Sequence, residues 1–273
     1  QVWYNETTNG LKYEYQSTFN GWSTGGSLNN TRSFSAGAGT QTAALAIGTG
    51  PSPSAVTEAY NGTSWTAVNA LNTGRYGLAA AGTQTAALAF GGQTPTIVAV
   101  TETWNGTNWT EVNDMGTARS LLAGAGTNTA ALVFGGNTPP DSALTELWNG
   151  TNWTEVNDLN TARTRLAGAG IQTSALAFGG YPATAITELW NGTNWTEVAD
   201  LTTARYALTG AGVSNTSALA FGGNNGTSAV GVTESWNGTA WTETGNLNIS
   251  RFYIGGAGTN TAALAFGGQP ATA

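Results

Sequence analysis

The stretch WNGTNWTEVNDLNTAR, from Trp148 to Arg163, is spelled five times along the chain with small changes. WNGTNWTEVNDMGTAR runs from Trp104, WNGTNWTEVADLTTAR from Trp190, WNGTAWTETGNLNISR from Trp236 and YNGTSWTAVNALNTGR from Tyr60. Each copy sets Asn-Gly between two alternating runs, the strongest short hairpin signal, since both turn positions of a tight hairpin favour φ > 0. A second phrase keeps step with the first. It reads GAGTNTAALVFGG from Gly124, with close versions from Gly37, Ala80, Gly168, Gly210 and Gly256. Gly39, Gly82, Gly126, Gly170, Gly212 and Gly258 hold one place in it, at steps of 43, 44, 44, 42 and 46 residues.

One repeat divides into four strands. After Arg119 come SLLAGAG (strand a), a short turn and AALVFGG (strand b). A variable loop leads to ALTELW (strand c), then the Asn-Gly turn and NWTEV (strand d). Arrays of four-stranded units have periods of this size. The composition agrees: 39 Gly and 11 Trp with only 8% charged residues favour short strands and tight turns over disorder.

The order of Arg119, Gly135-Gly136, Glu146 two residues before Trp148, and then Trp153 resembles the kelch repeat. The likeness covers nearly the whole chain. Ten residues separate Trp from Arg in each copy, as from Trp22 to Arg32 and from Trp241 to Arg251. The resemblance implies a β-propeller of four-stranded blades. It implies no one function, since kelch propellers serve both as enzymes and as binding platforms.

The expected fold is all-β: a single six-bladed β-propeller of four-stranded antiparallel blades over residues 1–273. The blades fall at 27–69, 70–113, 114–157, 158–199, 200–245 and 246–273, the last completed by 1–26. Its closure rests on the two ends. QVWYN aligns with TELWN, placing Gln1 at the position of Glu146, and the tail GGQPATA matches GGYPATA from Gly179. The head is longer than other copies between Trp3 and Trp22, and LKYEY reads as an extra or extended strand.

The net charge is −7 and Lys12 is the only lysine, which argues against nucleic acid and anionic membrane surfaces. No apolar run reaches membrane-spanning length, and no stretch reads as a signal peptide. A first residue of Gln rather than Met points to a processed chain or a piece of a larger polypeptide or virion protein. His and Cys are both absent. That removes the commonest general base, a hydrolase triad, a thiolate or histidine metal site and the copper centre of some kelch propellers. No acidic calcium loop is present. We expect no metal, no cofactor and no enzyme activity.

Glu58, Glu102, Glu146, Glu188 and Glu234 recur once per repeat, as do Arg32, Arg75, Arg119, Arg163, Arg205 and Arg251. Paired carboxylates do serve glycoside hydrolysis. Five equivalent copies suit architecture better, so we read these groups as structural Glu–Arg pairs within a blade or between neighbours. The regular Trp residues read as filler between blades rather than sugar platforms. Sequons at Asn61, Asn105, Asn108, Asn149, Asn152, Asn191, Asn194 and Asn237 follow largely from the turns. The GAG triplets precede no helix, so they are not a dinucleotide fingerprint.

Function belongs where the copies disagree. The a–b and c–d turns are nearly uniform; the b–c loops and d–a connections at the opposite end vary. Our candidate ligand-binding residues there are Tyr76, Arg165, Tyr181, Tyr206, Phe252 and Tyr253. Arg165 is an extra cation in an acidic chain, suited to an anionic sugar or carboxylate. Its counterparts read as Ser35, Gly77, Leu121, Ala207 and Tyr253. The expectation is a non-catalytic module binding a glycan or surface receptor, in the style of phage tail or secreted surface proteins, extracellular or virion-associated. The alternative is a kelch-type protein–protein scaffold.

Overall fold

The computed structural model describes residues 2–5, 10–13 and 21–270. Five four-stranded antiparallel blades follow one another, each a meander in chain order. The first comprises β3 (Ala36–Gly39), β4 (Ala44–Thr49), β5 (Ser54–Tyr60) and β6 (Trp65–Val68). The second comprises β7 (Ala79–Gly82), β8 (Ala87–Phe90), β9 (Thr101–Trp104) and β10 (Trp109–Val112). In the third stand β11 (Ala123–Gly126), β12 (Ala131–Phe134), β13 (Thr145–Trp148) and β14 (Trp153–Glu155). The fourth is built from β15 (Ala167–Ile171), β16 (Ser174–Phe178), β17 (Thr187–Trp190) and β18 (Trp195–Val198). The fifth holds β19 (Thr209–Ser214), β20 (Ser217–Phe221), β21 (Thr233–Trp236) and β22 (Trp241–Thr244).

A sixth, closing sheet has two strands, β24 (Gly255–Gly258) and β25 (Ala263–Phe266). Beside it, β23 (Arg251–Phe252) pairs with β26 (Gln269–Pro270). The N-terminal strands β1 (Val2–Asn5) and β2 (Gly10–Tyr13) pair with each other, Val2 opposite Tyr13. The architecture is a β-propeller with five complete blades and a closing sheet. A sixth blade of four hydrogen-bonded strands is not formed among the described residues. Gln1, 6–9, 14–20 and 271–273 lie outside them, and with them parts of the expected extra strand and of the expected completion by residues 1–26.

The first strand of each blade lines the axis, and glycine lets these strands approach in all but the second blade, where β7 carries Ala80 in that place. A Cβ on Gly210 would sit 2.5 Å from the Gly168 carbonyl oxygen. The second strands are buried on both faces, with Leu88, Phe90, Leu132 and Phe134 at zero exposure. Apolar clusters therefore form between blades rather than at one centre. Leu132 and Phe134, for example, pack with Ala175, Trp190 and Trp195 of the next blade. The tryptophans are built into these seams. Trp195 donates from Nε1 to Thr145 Oγ1 at 3.0 Å and meets Phe134 at 4.9 Å.

The Asn-Gly hairpins differ from the expected tight turn. Gly106 has φ +91° while Asn105 stays in the ordinary negative region. The Asn105 side chain accepts hydrogen bonds from Thr107 N and Asn108 N instead, so a carboxamide closes the turn that left-handed backbone was expected to close. The sequon Asn residues are thus turn parts, and Asn69 of the preceding blade donates to Asn108 Oδ1 at 2.8 Å.

Candidate functional site

The recurring Glu and Arg lie in the seams, not at an opening. Arg119 Nη2 donates to Glu146 Oε1 at 2.8 Å, and Arg163–Glu188 and Arg205–Glu234 repeat that distance. Arg75 meets Glu102 at 2.5 Å, and Arg32 also pairs with Glu58. Each pair lies within one blade. The second guanidinium nitrogen bridges carbonyls, as Arg163 Nη1 does to Gly179 O and Ile186 O. The second carboxylate oxygen takes a backbone N–H from the segment before strand a, as Glu188 does from Asn160 at 2.7 Å.

Burial lowers the pKa of all five guanidinium groups from their ordinary value, and the facing carboxylate works against it. Burial alone would push the Glu58 carboxyl up. The Asn29 backbone N–H and Arg32 outweigh it and hold this carboxyl below its usual range. These oxygens are spoken for, and none faces solvent beside a second acid. Arg251 differs. It donates to Gly267 O at 2.7 Å and meets no carboxylate among the described residues.

The axis has a ring of its own. Two residues after each of the six arginines, a backbone N–H donates to the carbonyl of the preceding blade's counterpart. Gly77 N reaches Phe34 O, Leu121 N reaches Gly77 O, and Arg165 N reaches Leu121 O. Ala207 N, Tyr253 N and Phe34 N then carry the chain of bonds through Arg165, Ala207 and back to Tyr253. The six bonds span 2.6–3.0 Å and close a circle. All six residues have φ between 53° and 60°, although only one is glycine. A left-handed conformation costs a non-glycine residue about 1–2 kcal/mol, so five such residues persist because the circle holds them.

The first-blade counterpart of Arg165 is therefore Phe34, not Ser35. Sequence reasoning missed Phe34; counting two residues from Arg32 would have found it.

This circle sets side chains around one mouth of the axis, over a shallow cavity of about 80 Å³ lined by residues including Phe34, Leu121, Arg165 and Tyr253. The Arg165 guanidinium stands over the Tyr181 ring at 4.7 Å, with Tyr206 at 5.7 Å and Tyr253 at 5.8 Å. Tyr181 and Tyr206 meet edge to face at 5.2 Å. Phe34 stacks on Tyr253 at 3.6 Å and touches Tyr76 at 5.7 Å, while Phe252 lies 4.9 Å from Tyr253. Burial raises the Tyr253 phenol above its ordinary pKa.

The b–c loops bring their residues in by backbone pairing: Tyr181 bridges to Thr164, and Asn224 to Tyr206. Four of the six candidates, Arg165, Tyr181, Tyr206 and Tyr253, thus form one group. Phe252 adjoins it through Tyr253. Tyr76 joins through Phe34, but its ring also covers Gly50, where an added Cβ would meet it at 2.6 Å.

No protein-family model and no curated protein matches this chain. Among the described residues no three His, Cys, Asp or Glu side chains gather to hold a metal ion. No helix there is long and apolar enough to cross a membrane.

Proposed function

We propose that the chain is a non-catalytic recognition module that binds a glycan or cell-surface polymer at the Arg165–tyrosine mouth and its flanking b–c loops. The observation that carries this reading is the contrast between the two parts of the repeat. The Glu–Arg pairs are nearly identical from blade to blade and buried, whereas the hydrogen-bonded circle carries Phe, Gly, Leu, Arg, Ala and Tyr in one geometry. A frame that holds six positions alike while their side chains differ is suited to recognition. Tyr181, 46% exposed, offers a flat face and a hydroxyl at its tip.

A glycan array probed with the purified chain tests the reading. Binding to defined sugars, lost in Tyr206→Ala with unchanged melting, supports it. An array without hits, with a protein captured through the same mouth, favours the kelch-type scaffold, for which exposed Tyr and Arg are also suited. We place such a module on a secreted or virion surface protein.

The same reading takes the fold as a six-bladed, kelch-like ring closed by the N-terminal segment. Trp22 supports closure, because it makes the contacts of a strand-d tryptophan next to the fifth blade. Its Nε1 donates to Thr233 Oγ1 at 2.9 Å, its ring meets Phe221 at 4.8 Å, and its carbonyl accepts from Asn248. Across the seam, Phe266 meets Trp65 at 5.0 Å. Between Trp22 and β25 lies a groove of about 620 Å³. We assign it to β1, whose sequence matches strand c.

A further inference from the structure

We infer that the Arg165 group is a receptor for a single carboxylate, so that the favoured ligand is an acidic sugar rather than a neutral one; this rests on the glycan reading above. Six of the seven arginines belong to the blade frame, one per repeat. Arg165 is the seventh, and among the described residues its side chain makes no ion pair and no hydrogen bond to an acceptor. Its Nε is buried without a partner, as are those of Arg32, Arg75, Arg119, Arg163 and Arg205, but its Nη groups, unlike theirs, meet no acceptor. The neighbours that hold it are three tyrosine rings, which meet the cation through their π faces and occupy none of its N–H groups as a carboxylate would. The fork is positioned and its donors remain unclaimed.

A planar carboxylate fits such a fork with two parallel bonds. The shape of the mouth sets the rest of the ligand. The cavity of about 80 Å³ beside Arg165 is shallow and open, and Tyr181 lies outside its lining, so a carboxylate on the fork leaves the sugar body against the exposed face of Tyr181. The chain's net charge of −7 disfavours a dense polyanion at long range. One acid group on a hydroxyl-rich body satisfies both conditions. The left-handed backbone of Arg165 is held by its neighbours' backbone atoms, so Arg165→Gln leaves the circle intact.

The test is a titration of the native chain, Arg165→Gln and Tyr181→Ala with a neutral oligosaccharide that ends in one galacturonic acid, and with its methyl ester, which caps the acid and removes its charge. The native chain should bind the acid form about tenfold more tightly than the ester or better. Arg165→Gln should bind the two forms equally at unchanged melting temperature, and Tyr181→Ala should weaken both. Equal binding by the native chain, or a preference kept in Arg165→Gln, overturns the carboxylate site while leaving sugar recognition standing. If neither oligosaccharide binds, sodium acetate decides. A shift of the Arg165 Nε–H resonance keeps the carboxylate site and discards the sugar; no shift overturns the site itself.

Discussion

Removing the Glu146 carboxylate leaves the Arg119 guanidinium buried without its hydrogen-bonded counter-charge, with only the more distant Asp158 and Glu155 of opposite sign, and strips the Gly116 N–H of its acceptor. Breaking a buried pair from one side costs about 3–5 kcal/mol. Glu146→Ala should lower the unfolding free energy by that amount in a urea titration; a loss under about 0.5 kcal/mol shows a pair that water reaches. The same chemistry sets a pH dependence at Glu58. Its folded pKa lies below the ordinary carboxyl value, so the folded state binds its proton less readily than the unfolded chain does. Its contribution is fully present above the unfolded value, near 4.3 for a free Glu, and is lost as pH falls through the folded one. Native chain and Glu58→Gln should therefore converge in melting temperature in acid and separate at neutral pH. A constant gap from neutral pH to strong acid contradicts the assignment. Which arginine each Glu would choose was not legible beforehand, because a once-per-repeat spacing fits a partner in either blade. The pairs lie within the blade because the carboxylate also takes backbone N–H groups just before its own strand a.

At the scale of the strand, the innermost glycines decide how closely blades approach. Gly168 and Gly210 face each other across a seam, and a methyl at 210 would press on a neighbouring carbonyl at 2.5 Å and on Phe178 at 2.7 Å. A ring can turn aside, but backbone cannot without opening the circle around the axis. Gly210→Ala should cost about 1–3 kcal/mol, the range of an overpacked core. Thermal unfolding measures it, and an unchanged midpoint shows that the strands stand further apart. The strands themselves were plain in the sequence, because ALAF and TELW alternate or run apolar at the right length between Gly-rich turns. The turn chemistry was misread, since Asn105 could supply either backbone or side chain and only coordinates distinguish them. The tyrosine group was half legible. Position after the arginine flagged Tyr76, Tyr206 and Phe252, but the approach of Tyr181 to Arg165 depends on how a b–c loop pairs with the connection leading into its own blade.

Over the whole molecule the question is how a ring of repeats ends. The six innermost residues close their circle without the N-terminal segment, since Phe34 N reaches Tyr253 O directly. The outer layers do not. Strand β25 has no outer partner strand among the described residues, whereas its counterpart β12 is covered by β13. A bare edge of that kind is open to pairing with another chain. Trp22 is already seated as a strand-d tryptophan, and the sequence of β1 is that of a strand c, so both absent places have a candidate in the first 26 residues. Deleting residues 1–26 should leave the five blades and the axial circle but broaden the thermal transition, lower its midpoint and expose β25 to self-association. Trp22→Ala should act in the same direction and more weakly, by up to about 3–5 kcal/mol, the cost of removing a large aromatic side chain from a packed site. Scanning calorimetry with light scattering separates the two effects. A truncated chain that melts as sharply and as high as the native one, and stays monomeric, means that the inner circle alone closes the propeller and that the N-terminal strands serve some other purpose.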